Sequence, residues 1–391
     1  MTFGHIQACL RHVLEEGESK VRIAQLGMKK VPSREGGIEI VVEELATRMA
    51  ALGHAVTCYN RNTHHVSGKK FDSKKTKEYK GVRLKYVPTI DKKGLAAVSS
   101  AFFATMAAAF GKYDVVHIHA EGPAFMCWLP KLFGKRVIVT VHGLDHKRAK
   151  WGKFASSFIM LGEKNAVRHA HEIIVLSHGV QDYFEKTYGR KTVFIPNGVN
   201  RPAIREAKEI AEKFGLKKDG YILFLGRLVP EKGVRYLIEA YKEVNTDKRL
   251  VIAGGSSDSS GFVEELQELA SGDDRIVFTG FVQGEPLEEL YSNAYLYVLP
   301  SDLEGMPLSL LEALSYANAC HTSDIEECAG VNEDKGVLFK KGDVADLTEK
   351  LQHLCNTPGD VLKLKSEAAD YICNKYNWDE VVDKTLGLYG K

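Results

Sequence analysis

The sequence predicts an α/β protein built from two doubly wound, Rossmann-like domains that face each other across a cleft. Three observations lead there. The chain has 391 residues, more than one ordinary hydrophobic core accommodates. Short runs rich in valine and isoleucine alternate with amphipathic helical runs, which is the pattern of parallel sheets covered by helices. The alternation breaks near residue 197 and begins again near residue 221.

Taken in order, residues 1–20 ("MTFGHIQACLRHVLEEGESK") precede the first strand and read as a short helical extension. Strands are expected at 21–28, 55–61, 82–88, 114–120, 136–143 and 172–177. In "IEIVVEELATRMAALG", Ile38, Val41, Val42, Leu45 and Met49 recur at helical spacing and Gly53 lies past the end. The stretch "GLAAVSSAFFATMAAAFG" (94–111) is too short and too alanine-rich for a membrane span and predicts a buried helix. The Asn-Gly and Arg-Pro pairs within 197–202 suit a linker. Strands are expected again at 221–228, 249–255, 275–281 and 294–301, and the tail returns to helix. The domains are therefore 21–198 and 199–370, with a final helix in 371–391 packing back toward the first domain.

Composition narrows the function. Hydrophobic residues make up 44% and charged residues 27%, as in globular proteins. A net charge of +2 lacks the basic excess of a nucleic-acid binder, so no nucleic-acid partner is expected. Seven scattered cysteines without a CxxC pair argue against a disulfide framework or zinc site and for a reducing, cytoplasmic setting.

Ligands of doubly wound sheets sit beyond the carboxyl ends of the strands, so the loops there are the candidates. In "KKVPSREGGIE", Gly36 and Gly37 precede a helix, where free amides and the helix dipole favour a phosphate. There is no GxGxxG and no P-loop. In "GRLVPEKG", Arg227 offers a planar fork of donors and Lys232 a compact charge, together suited to a diphosphate. In "YVLPSDLEGMPLSLLEAL", Pro307 suits the first turn of a helix, and the amides around Leu308 and Ser309 form a second anion site. Glu304, before that helix, and Glu312, within it, are placed to accept hydrogen bonds from vicinal hydroxyls of a sugar and a ribose.

The E-x7-E of Glu304 and Glu312, "GR-x2-PEKG", "GGIE", "TVHG" and "IPNGV" together resemble a retaining glycosyltransferase of the GT-B fold, family 4 type, from about residue 21 onward. "GGIE", "FGKYDVVHIHAEGP" and "VTVHGLDHKRAKW" look most like the rhamnosyltransferase branch of capsule and cell-wall polysaccharide synthesis. The resemblance implies transfer of a hexose, rhamnose from dTDP-rhamnose as the first choice, to a glycan or lipid-linked acceptor. It implies that Arg227 and Lys232 meet the diphosphate, Glu304 and His142 the donor sugar, and Glu312 the ribose. Gly36, Gly37, Gly226, Phe281, Leu308 and Ser309 then complete the nucleotide-sugar side, and His119, Glu121 and Asp145 lie on the acceptor side. No cofactor or metal is expected, since Arg and Lys take the place of a cation on the diphosphate.

The chain departs from the family pattern after the second glutamate. Ala317 and Ala319 stand where Gly and Pro are usual, and His321 where an aliphatic residue is usual. An altered loop after that helix is the expectation, and with it lowered activity or a changed donor preference. Among the fourteen histidines, we place His119, near the end of its strand, toward the cleft and His117, packed, on the opposite face. His142, Asp145 and His146 lack a third ligand at metal-binding spacing. The basic loop "HKRAKWGK" (146–153) reads either as a solvated helix start or as a contact with an anionic, lipid-linked acceptor at the inner membrane face. Two other readings remain at this level: a sugar-nucleotide epimerase of the same architecture, and a non-catalytic sugar-nucleotide-binding subunit.

Overall fold

The computed structural model describes residues 20–72, 74–92, 94–147, 152–255 and 260–390. The expected N-terminal helix and residues 148–151 of the basic loop lie outside them. The first half forms an eight-stranded sheet. Its strands are β1 (Arg22–Leu26), β2 (Ala55–Arg61), β3 (Glu78–Tyr79), β4 (Val82–Val87), β5 (Val115–His119), β6 (Arg136–Val141), β7 (Glu172–Val175) and β8 (Val193–Phe194). They run in the order β3-β4-β2-β1-β5-β6-β7-β8, with only the β3–β4 pair antiparallel. The second half forms a six-stranded parallel sheet of β9 (Tyr221–Leu225), β10 (Arg249–Ala253), β11 (Ile276–Gly280), β12 (Leu296–Leu299), β13 (Cys320–Ser323) and β14 (Gly336–Phe339), in the order β11-β10-β9-β12-β13-β14. Helices cover both faces, so central strands such as β9 are apolar without alternation, Ile222, Leu223 and Phe224 all being fully buried.

In each sheet the strand order reverses once, between β1 and β5 and between β9 and β12. Crevices for ligands open at such switch points. The carboxyl ends of these four strands and the loops after them carry Gly36 and Gly37, His119 and Glu121, Arg227 and Lys232, and Glu304. Strand order alone thus collects most of the sequence candidates at two crevices.

Three expectations need correction. Each sheet has two more strands than expected, the first gaining the two-residue β3 and β8 beyond the six expected, and the second gaining β13 and β14 beyond four. β13, "CHTS", reads as polar yet all four residues are buried, and β14 is only four residues long. The helix Leu95–Phe110 is not buried all round. Ser100, Ala101, Ala104, Thr105, Ala108 and Ala109 form its inner face, where small side chains allow close packing, while Leu95, Phe102, Phe103 and Phe110 point outward. No helix among the described residues is long and apolar enough to cross a membrane. The loop after helix Leu308–Ser315 keeps a left-handed turn despite lacking glycine, because Ala317 itself adopts φ +58°. Asn318 fastens that turn, its amide donating to the carbonyls of Tyr291 and Ala313.

His321 lies inside β13, fully buried, beside the ring of Phe339 at 5.0 Å and with Nδ1 2.9 Å from the carbonyl oxygen of Val337. Burial lowers its pKa to about 4, so the imidazole is a neutral packing group where an aliphatic side chain would serve.

The chain passes between the domains twice, and the two passages lie side by side. Val199 donates its N–H to the Tyr376 carbonyl at 2.7 Å and bridges Asn377. Beyond them the helix Trp378–Tyr389, capped by the Asn377 side chain, lies on the helix Gly37–Ala51 and on β6. Arg136 Nε donates to the Leu388 carbonyl at 2.6 Å, and Arg48 pairs with Asp379 at 2.5 Å.

Candidate active site

The second domain supplies a polar knot at the mouth of β12. Lys232, in the short turn Pro230–Lys232 after β9, places Nζ 2.5 Å from Glu304 Oε1. The Ser301 hydroxyl donates to the same oxygen at 2.6 Å, and Ser301 is held in turn by Ser323 Oγ on its carbonyl. Both partners of the ion pair are nearly buried, at 12% and 9% side-chain exposure. That exposure decides how the pair behaves, since removing one member leaves the other charge desolvated and alone. Arg227, half-buried, makes no ion pair among the described residues and stays available to a ligand. Gly226 extends the β9 edge, its N–H donating to the Ala253 carbonyl at 3.0 Å.

The helix Leu308–Ser315 starts just beyond Glu304, with Pro307 at its cap. Its first amides have no intrahelical acceptor and face the cleft end of the fold. Glu312 lies one turn further in and accepts from the Tyr291 hydroxyl at 3.2 Å, while Tyr291 also reaches the carbonyl of Ser309. Burial raises the pKa of Glu312 and the charge of Arg34, from the first domain, opposes that rise. A half-buried carboxylate with one hydroxyl donor among the described residues retains capacity for more donors.

The first domain meets this surface closely. Gly36, extended at φ −173°, caps the helix Gly37–Ala51, and a Cβ added at Gly37 would come within 3.2 Å of Leu308 Cδ1. The starts of the two helices therefore lie close together, and unpaired first-turn amides of both favour an anion nearby. A Cβ on Gly305 would lie 1.7 Å from the His142 carbonyl oxygen, so only glycine lets the Glu304 loop rest on the backbone of His142. Buried Asn197 holds the same loop, donating its amide to the Met306 carbonyl at 3.3 Å. Phe281, after β11, stacks edge-on against His65 and Phe71 of the first domain, each at 4.9 Å.

His117 and His119 share one face of β5, contrary to the expected opposite faces, because residues two apart along a strand point the same way. Their rings stack at 4.3 Å and both are fully buried. His119 Nδ1 sits 3.1 Å from His142 Nε2 and its Nε2 2.7 Å from Gln25 Oε1, so His119 supports His142 from behind. His117 bonds Tyr389 of the last helix and Thr140. Burial pushes His117 down to about 3 and His119 well below its ordinary value, so both are neutral. Glu121 is fully buried behind the cleft surface, with the Asp145 N–H donating to its Oε2 at 2.9 Å. Burial foremost, then the neighbouring Glu163 carboxylate, raises Glu121 to about 11.

Sequence reasoning missed Gly305, Asn197, Gln25 and Tyr291. Asn197 carries a sequence signal, since it stands in the motif "IPNGV". The glutamate of "GGIE" also gains a role: Glu39 accepts the Lys29 N–H at 2.8 Å and shapes the glycine loop.

This fold, with a cleft lined by loops from both switch points, defines the GT-B class of glycosyltransferases. Residues 35–201 match the family model described as "Glycosyltransferase Family 4", and residues 219–357 the model "Glycosyl transferases group 1". The chain is a glycosyltransferase carrying these two domains. It is similar to an alpha-D-kanosaminyltransferase of Streptomyces kanamyceticus, 24% identical over 70% of this chain and 76% of the relative. It is 28% identical to a UDP-Gal:alpha-D-GlcNAc-diphosphoundecaprenol alpha-1,3-galactosyltransferase of Escherichia coli, over 71% of this chain and 75% of that one. Anabaena HepE in complex with UDP-glucose superposes with a TM-score of 0.76 at 15% identity, covering 93% of this chain and 98% of that one.

Proposed function

We propose that this chain moves a hexose from a nucleoside diphosphate sugar to a glycan or lipid-linked acceptor with retention of anomeric configuration. The observation that carries this reading is the approach of Gly305 to His142, which brings the Lys232–Glu304 pair and a first-domain histidine to one cleft. Arg227, Lys232 and the amides of Leu308 and Ser309 hold the diphosphate, and no metal is needed there. Glu304 and His142 read the donor sugar, and Glu312 takes the ribose hydroxyls. The bond from C1 to the phosphate oxygen breaks with its electron pair leaving on the diphosphate. The acceptor hydroxyl attacks from the same face, and a β-phosphate oxygen takes its proton.

Relatives whose names specify galactose and kanosamine support the reaction class and leave the sugar open. dTDP-rhamnose is the donor we would test first. A thermal-shift screen of UDP-, dTDP-, GDP- and ADP-sugars identifies the base, because a ligand at a hundredfold excess over its Kd stabilises by roughly 2.7 kcal/mol. Release of nucleoside diphosphate on adding acceptor then tests transfer. An epimerase would consume the sugar nucleotide without releasing free nucleoside diphosphate in step with acceptor, and a binding subunit would release none.

A lipid-linked acceptor would be met at a membrane surface. The outward phenylalanines of Leu95–Phe110 support that contact, since Phe110 packs on Phe133 at 4.6 Å beside exposed Leu132 and Lys131. Flotation with anionic vesicles, weakened in Phe110→Ser, is the expected result, and equal flotation of both proteins would refute it.

A further inference from the structure

Behind the cleft surface, Glu121, His146 and Glu163 converge from three separate elements. Glu121 follows β5, His146 lies in the loop after β6, and Glu163 belongs to the helix Lys153–His169. His146 Nδ1 is 3.3 Å from Glu163 Oε2 and 3.7 Å from Glu121 Oε1, and the three ligand atoms all lie within 4.8 Å of one another. We propose that this cluster is a binding site for one divalent transition-metal ion of the Zn2+ or Mn2+ kind.

Four features support the assignment. The spacing suits a cation, since ligand atoms about 2.0–2.2 Å from a tetrahedral zinc stand about 3.3–3.6 Å apart. Each inward atom, Glu121 Oε1, His146 Nδ1 and Glu163 Oε2, is buried and has no hydrogen-bond partner. The outer oxygens are occupied: Glu121 Oε2 by the Asp145 N–H, and Glu163 Oε1 by the hydroxyls of Tyr183 and Tyr188. Donors on the outer oxygens turn the inner ones toward a common point, as the partners of metal-binding carboxylates do. Finally, both carboxylates are fully buried and no Lys or Arg among the described residues pairs with either. Two adjacent buried carboxyls with only the His146 ring beside them must share a proton or bear a heavy desolvation cost, and a bound cation relieves both.

The site rests on firm elements. A Cβ on Gly162 would lie 2.0 Å from the Glu121 carbonyl oxygen, so the helix presses directly on the loop that carries the first ligand. His146 is four residues past His142, and a bound ion would pin the loop from His142 onward to that helix. The ion's role is positional and separate from the proposed chemistry on the diphosphate, so failure of either idea leaves the other standing.

The test uses tag-free full-length chain, stripped with a chelator and dialysed against Zn2+, Mn2+ or Co2+ alone. Wild type is expected to take up one equivalent of at least one ion, with a rise in Tm on addition. Bound Co2+ should give the visible absorption of a nitrogen- and oxygen-ligated site. His146→Gln and Glu163→Gln should each lose the equivalent. Tyr188→Phe, which removes only a donor to Glu163, should weaken binding by about 10- to 100-fold. A wild type that takes up none of the three ions, or uptake unchanged in both ligand variants, would overturn the proposal and leave a proton-sharing carboxyl pair.

Discussion

Gly305 and His142 touch backbone to backbone across the two domains, with room between them for a hydrogen and not for a methyl group. Gly305→Ala would place Cβ 1.7 Å from the His142 carbonyl oxygen, and neither partner is a flexible side-chain end. Closure over the donor should then fail while each domain stays folded. We expect turnover to fall about 10²-fold, the scale of a 1 Å misplacement in a reacting site, with Tm little changed. Steady-state kinetics beside thermal melting checks it, and wild-type turnover would remove this contact from the mechanism.

The two glutamates should separate by readout. Among the described residues Glu312 has one hydroxyl donor, Tyr291, and it feels the charge of Arg34. Glu312→Gln should weaken nucleoside diphosphate itself by about 10- to 100-fold, the value of a charge-assisted hydrogen bond of about 1.5–3 kcal/mol. Glu304→Gln should leave that affinity nearly intact and lower turnover. Calorimetric titration with nucleoside diphosphate, then kinetics with intact donor, distinguishes them. Equal losses of nucleotide affinity would contradict the division.

Ala317 carries φ +58°, which an L side chain adopts at a cost. Ala317→Gly should raise stability by about 1 kcal/mol, the lower end of the left-handed penalty for a residue with Cβ. Urea denaturation measures it as a shift in midpoint at constant slope. A destabilised variant would mean the turn holds no strain.

Acid should weaken the fold through its buried histidines. His321 titrates near 4 in the folded chain and near 6.5 when unfolded. Between those values the unfolded chain binds a proton that the folded chain refuses, so stability falls as pH drops from about 6.5 to 4 and levels off below. The His321 share is at most about 3–4 kcal/mol, the ceiling for a shift from 6.5 to about 4. His117, near 3, adds a loss of the same sign. His321→Val should flatten this limb in melts taken between pH 7 and 4, and an unchanged limb would refute the assignment.

The sequence made the two sheets legible because strands buried on both faces are continuous apolar runs, whereas "CHTS" of β13 hides behind polar letters. It also made the loop candidates legible, since strand carboxyl ends can be counted along the chain. What stayed hidden depends on contacts between distant segments. Nothing near residue 305 tells that its α-carbon meets residue 142, and Glu121, His146 and Glu163 have no motif spacing. Lys232 was legible as a cation in a loop, but its burial against Glu304 was not, and this makes Lys232→Ala a poor probe of function alone.

Arg227 is the cleaner probe, half-buried and outside any ion pair among the described residues. The most direct test of the account is therefore the rate of nucleoside diphosphate release from the best sugar nucleotide by wild type and Arg227→Ala. Loss of one preorganised charge-stabilising donor predicts a fall of about 10²–10³-fold in turnover with an unchanged Tm. Turnover within a factor of a few of wild type would contradict a diphosphate held in this cleft.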